Sequence, residues 1–135
     1  MALFTWSEQF SLKIDSMDEQ HKKLIDILNQ FHDAMLQKKE DKKIGETLAE
    51  LIAYTEFHFA EEEKLLQENG YPDLDNHKNE HDELRQKVTE FQREYVQGSQ
   101  TVTDDVMFFL KDWLVNHILG VDKRYAPFLI EKGVN

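Results

Sequence analysis

Seven side chains in the 135-residue sequence could do chemistry together: His21, His58, Glu62, His77, His81, His117 and Asp122. His58 and Glu62 are four apart, as are His77 and His81. On helices each pair would project two donors from one face, about 5.4 Å apart along the axis. Imidazole and carboxylate at that spacing are metal-ligand chemistry. Both pairs lie inside apolar stripes. Before a Gly70-Tyr71-Pro72 turn the stripe reads Ile44, Leu48, Leu51, Thr55, His58, Glu62, Leu65, and after it Leu74, His77, His81, Leu84, Val88, Phe91, Tyr95. The steps alternate between three and four, so the donors occupy core positions. A buried carboxylate without a partner is costly, and Glu62 in such a stripe asks for a cation.

One histidine on an apolar face is ordinarily a satisfied core residue. Here five of the six histidines fall in core slots on four different helical segments, and only His32 falls beside its stripe. Seven donors exceed one tetrahedral zinc site and fit two metals bridged by carboxylates, with Glu62 and Asp122 as the natural bridges. The absence of cysteine excludes disulfides, thiolate metal sites and covalent c-type haem attachment. Any metal must be held by nitrogen and oxygen.

Four amphipathic helices must position these groups. Residues 1–15 have no helical period, but Phe10, Leu12 and Ile14 alternate with polar residues as in an extended arm, anchored by Phe4 and Trp6. Ser16-Met17-Asp18-Glu19 matches a capping box and opens a helix with the stripe Met17, His21, Leu24, Leu28, Phe31, Met35, closed by Lys38 and Lys39. A second helix runs from about Asp41 to Asn69 and stops at Gly70, with Pro72 beyond. The third spans Asp73 or Asp75 to Gln97 and stops at Gly98; the fourth starts after Thr103, with Asp104 and Asp105 in its first turn, and carries Val106, Leu110, Trp113 and His117. Asp122 then follows His117 by five, a rotation of about 140° in a straight helix. A bulge at Leu119-Gly120 would bring the two together. Tyr125, Phe128 and Leu129 read as a short helix folding back. The expected architecture is an all-α, up-down-up-down four-helix bundle, one domain over 1–135, with an arm at 1–15 and the bundle and C-terminal helix at 16–131.

A formal net charge of −11 argues against nucleic acid or an anionic membrane as partner. The one basic run, Lys38-Lys39-Glu40-Asp41-Lys42-Lys43, is interrupted by acids and reads as a solvated segment between helices. The first residues lack a basic leader region, and no apolar run approaches the ~20 residues of a membrane span, so a cytoplasmic protein is expected.

The combined pattern of His21, then His58-x-x-x-Glu62, then His77-x-x-x-His81, then His117-x-x-x-x-Asp122 resembles the hemerythrin family, and within it the single-domain bacteriohemerythrins. The resemblance covers nearly the whole chain, and every ligand position is met. It implies two iron ions per chain. One would take His77, His81 and His117, the other only His21 and His58, with Glu62, Asp122 and an oxo or hydroxo group bridging them. The five-coordinate iron keeps an open position, which implies reversible binding of dioxygen for storage, delivery or transport, rather than catalysis. Leu24, Phe59, Trp113, Ile118 and Tyr125 fall at positions that line the oxygen pocket in similar proteins. An unidentified protein could accept the oxygen or read the oxygenated state as a sensor, and scavenging of nitric oxide or peroxide is the enzymatic alternative.

Two rivals use part of the same residues. His77-Lys78-Asn79-Glu80-His81 matches the H-x-x-E-H signature of zinc peptidases, with Glu80 as general base. It leaves His21, His58, Glu62 and His117 without a role. Ferritin-like oxidases need Glu-x-x-His on two helices, and no histidine here has a glutamate three residues before it.

Overall fold

Each apolar stripe becomes the inward face of a helix. The computed structural model describes residues 5–37, 41–96 and 102–134. Among them α1 (Asp15–Leu36), α2 (Asp41–Glu68), α3 (Leu74–Val96) and α4 (Val102–Asn116) form the bundle, and α5 (Lys123–Glu131) continues α4 through a π-helical turn at His117–Asp122, so it extends the fourth helix and does not fold back as its sequence suggested. α1 packs on α2 and α4, and α3 packs on the same two, so chain neighbours run antiparallel in an up-down-up-down ring. Leu24, Leu28 and Phe31 of α1, Leu48 and Leu51 of α2, Leu84 and Val88 of α3 and Leu110 of α4 are all buried in one apolar cluster. On α2 the stripe ends one residue later than its period suggests: Leu66, not Leu65, is fully buried.

The anchoring by Phe4, the closure of the first helix by Lys38 and Lys39, and the helix end at Gln97 and Gly98 fall outside the described residues, as do the side chains of Tyr95, Thr103, Asp104, Asp105 and Val106. In the arm, Phe10, Leu12 and Ile14 are buried, while Ser11 and Lys13 between them are not. The arm is not extended throughout: Glu8–Phe10 form a 3-10 turn, which brings Phe10 to 5.8 Å from Trp6.

The capping box at Ser16 does not form. α1 starts at Asp15, with Ile14 in the N-cap position and its carbonyl accepting from Met17 and Asp18 at 3.1 and 2.9 Å. The competing partner is Asp18, whose two oxygens accept the Leu12 amide at 2.8 Å and the Ser11 hydroxyl at 2.7 Å. One carboxylate thereby ties the arm to the first turn of α1.

The α2–α3 turn is fixed by Gly70 at φ +71. Its amide bonds the Gln67 carbonyl and the Tyr71 amide reaches back to Leu66, the pair of bonds that closes a helix on a left-handed residue. The hairpin so made sets His58 and Glu62 of α2 against His77 and His81 of α3. No described helix is long and apolar enough to cross a membrane.

Candidate metal centre

The four bundle helices and the π turn bring all seven predicted donors together, each at most 3% exposed. Their ligand atoms fall into two groups, Glu62 with His77, His81 and His117, and His21, His58, Glu62 and Asp122, in each of which the atoms lie within 4.8 Å of one another and could hold a metal ion. Glu62 belongs to both. Its Oε1 faces His77 Nε2 at 2.6 Å, His81 Nε2 at 3.1 Å and His117 Nε2 at 3.9 Å. Its Oε2 faces His58 Nε2 at 3.3 Å and His21 Nε2 at 3.6 Å. Asp122 divides in the same way, with Oδ1 toward His117 at 3.0 Å and His77 at 3.3 Å, and Oδ2 toward His21 at 3.1 Å.

The π turn makes this possible. It leaves the backbone helical but widens it, so His117 and Asp122 both point inward instead of about 140° apart. The bulge expected at Leu119-Gly120 lies within it.

The donor set fits a metal better than it fits itself. Both Asp122 oxygens, both ring nitrogens of His21 and Nδ1 of His117 are buried without a hydrogen bond among the described residues. The 3.1 Å approach of His21 to Asp122 is not aimed along the ring N–H, and His81 Nε2 meets His117 Nε2 nitrogen to nitrogen at 3.1 Å. Each unsatisfied buried group costs about 1–3 kcal/mol. A cation among them answers the whole group at once.

Electrostatics lead to the same conclusion. Burial pushes every imidazole toward its neutral form. At His21, His77 and His117 the two carboxylates outweigh burial and raise the pKa to about 9, about 10 and about 9. At His58 burial prevails and the pKa is lowered. Burial opposes ionisation of Glu62 and Asp122 too, but the surrounding histidines hold both well below the usual carboxylate range. Protein groups alone therefore keep the carboxylates charged by protonating histidines, a role that a metal takes over.

Four of the five predicted pocket residues share one side of the centre. Leu24, Phe59 and Ile118 are buried in the main apolar cluster, with Trp113 packed against it. Phe59 stacks on His81, with centroids 3.7 Å apart and planes 4° apart, and Trp113 stacks on His117 at 4.3 Å and 13°. Tyr125 is set apart. It lies in a second cluster with Leu12, Ile14, Met17, Leu66, Ala126 and Leu129, and its hydroxyl donates to Glu62 Oε2 at 2.9 Å. His32 is in neither donor group, and His77 and His81 share theirs with Glu62 and His117, to which the peptidase signature gives no role.

Two residues of the site escaped sequence reasoning. Gln20 Oε1 accepts from His58 Nδ1 at 2.7 Å, and Glu63 Oε2 accepts from His81 Nδ1 at 2.7 Å. The only signal for Glu63 is its place beside Glu62 on the helix that pairs with α3. Gln20 carries no such signal beyond being next to His21.

The comparisons with known proteins agree with this geometry. Residues 12–129 match the family described as Hemerythrin HHE cation binding domain. The chain is 40% identical over 130 residues to a bacteriohemerythrin of Methylococcus capsulatus, covering 96% of this chain and 98% of that protein. It is 38% identical over 129 residues to one of Clostridium acetobutylicum, covering 91% and 98%. Among solved structures it superposes on wild-type hemerythrin with a TM-score of 0.87 at 39% identity, covering 93% of this chain and 97% of the other.

Proposed function

Because the chain belongs to the hemerythrin family, we propose that its metal-binding cluster is a carboxylate-bridged di-iron centre that binds dioxygen reversibly, for storage, delivery or transport. His77, His81 and His117 would hold one iron and His21 and His58 the other, with Glu62 and Asp122 serving both. One observation carries this reading. Each carboxylate turns one oxygen toward the three-histidine group and the other toward the two-histidine side. A single metal would not need that division.

When bound, the iron pair would supply redox chemistry, and the side with two histidines offers one protein ligand fewer than the side with three, so a small molecule would bind there. The chain's own residues then orient and dry the site. Tyr125 fixes Glu62 Oε2 by its hydroxyl. Phe59 and Trp113 hold the planes of His81 and His117 by stacking. Leu24 and Ile118, 4% and 0% exposed, keep water off the centre. Beyond Leu24 and Trp113 lies a cavity of about 20 Å³, lined also by Leu28, Leu51, Leu84, Leu110, Leu114 and Thr55. The Thr55 hydroxyl gives its proton to the Leu51 carbonyl at 2.7 Å and six of the lining side chains are leucines, so the void offers water few partners and suits an apolar gas.

The test is the visible spectrum of the di-ferrous protein before oxygen, after oxygen, and after oxygen is swept away. A new absorption band that disappears on removal, with two irons per chain, is expected. Irreversible oxidation in the first cycle at two irons per chain would favour the scavenging enzyme instead, and a single iron would refute the bridged pair.

A further inference from the structure

The five histidines of the centre are not held alike. His58 and His81 each donate Nδ1 to a side chain, whereas Nδ1 of His21 and His117 is buried without a hydrogen bond among the described residues. The two anchors differ in charge. Behind His58 stands the neutral amide of Gln20, on α1. Behind His81 stands the carboxylate of Glu63, the residue after Glu62 on α2, and the same Oε2 is approached by Arg85 Nη2 at 3.3 Å. Arg85 also pairs with Glu56 at 3.1 Å and Asp82 at 2.7 Å, and its guanidinium lies 5.2 Å from the centroid of Phe59, the ring stacked on His81. Glu63, His81, Phe59 and Arg85 thus form one interlocked unit on the α2–α3 hairpin.

From this geometry we infer that Glu63, clamped by Arg85, is the positioning residue for His81 and makes it the stronger electron donor to its metal, while Gln20 gives His58 a neutral anchor, so the two iron sites are electronically unequal. The inference rests on the proposed di-iron reading. The physical reason is general. A ligating histidine that donates its far N–H to an anion is oriented and made a stronger donor, and loss of such a partner costs 10–100-fold in metal affinity. A stronger donor favours the ferric over the ferrous state. The three-histidine iron therefore carries the anionic support and the two-histidine iron does not.

The experiment compares the parent with Glu63→Gln, Glu63→Leu and Gln20→Leu in two ways: Co(II) titration of the metal-free protein and reduction potentials of the iron-loaded protein. Glu63→Gln keeps a side chain that can accept the bond and removes only the charge, so it should fold and still take two metals per chain. Its potential should rise, and a tenfold weaker preference for the ferric state corresponds to 59 mV in a one-electron couple. Glu63→Leu should weaken one of the two Co(II) sites by about 10–100-fold. Gln20→Leu should weaken the other site and leave the potential closer to the parent's than Glu63→Gln does. Parent-like Co(II) affinity and potential in both Glu63 variants, with two metals bound throughout, would overturn the inference and leave the di-iron reading standing. A parent that binds no metal overturns both.

Discussion

Removing one oxygen atom, in Tyr125→Phe, tests how the protein holds its shared carboxylate. Tyr125 is fully buried, and its hydroxyl donates to Glu62 Oε2 at 2.9 Å. Burial first, then the charges of Glu62 and Asp122, push the phenol well above its ordinary pKa of 10. It is thus a neutral O–H donor at any pH at which the protein is folded. Phenylalanine keeps the ring and its contacts with His77 and Tyr71, at centroid distances of 5.5 and 6.3 Å, so no sizeable cavity opens. What is lost is one hydrogen bond to a buried carboxylate, worth about 1.5–3 kcal/mol. In urea, with a slope of about 2 kcal/mol/M, that is a midpoint lower by roughly 1 M in the metal-free protein. Tyr54→Phe, at a half-buried ring beside Phe57, is the control and should move much less. In the iron-loaded protein the loss should be smaller, because metal takes over the charge of Glu62. A metal-free Tyr125→Phe protein within about 0.5 kcal/mol of the parent would mean that the hydroxyl does not anchor Glu62.

Three further outcomes follow from the same geometry. His32→Ala should keep two irons per chain while His58→Ala loses iron, as measured by metal analysis after native purification; equal losses would place His32 among the ligands. Leu24→Ala, at a cost of about 2–5 kcal/mol, and Ile118→Ser should both speed the loss of the oxygenated spectrum below their melting temperatures, and parent-like rates in fully loaded protein would remove them from the wall. Metal-free protein should lose melting temperature as pH rises. His21, His77 and His117 are raised from 6.5 to about 9, 10 and 9, so their contribution is complete below about pH 6.5 and is lost through pH 9–10. With metal on the imidazoles that alkaline loss should vanish, and a metal-free melting temperature flat from pH 7 to 10 would contradict the charge arrangement.

The donors were legible because each interrupts an apolar stripe at a core position, and the periodicity that places Leu24 or Leu84 inside places His21 or His81 inside as well. The five-residue step from His117 to Asp122 even announced its own π turn, since a straight helix would have buried one group and exposed the other. Contacts between segments left no such trace. The Ser16 box was plausible locally and failed because Asp18 found better partners in the arm, the Leu12 amide and the Ser11 hydroxyl. Tyr125 was recognisable as a residue near the site, but its bond to Glu62 depends on where the π turn sends α5, which no local period encodes. Glu63 lies off the apolar stripe that marks Glu62, and only the hairpin register turns it toward His81.

The π turn explains why the site needs more than four helices. A π segment, with its backbone bonds spaced five residues apart, is rare and occurs mostly as a single widened turn inside an α-helix. Gly120 favours it passively: the residue has open space around it and needs no left-handed backbone, but glycine lowers the preference for a straight α-helix by about 1 kcal/mol. Positive support comes from either side in sequence. The arm's 3-10 turn, with buried Phe10, packs against the turn, and α5 continues the helix directly beyond it. Tyr125 and Leu129 of α5 join Leu12 and Ile14 of the arm in the second apolar cluster. Arm and C-terminal helix thus close on each other over the backbone that aims Asp122, and Asp18 locks the arm to α1 three residues before His21. The two segments outside the bundle therefore act on the donor cluster through Asp122, the one carboxylate in it whose position no regular helix could supply.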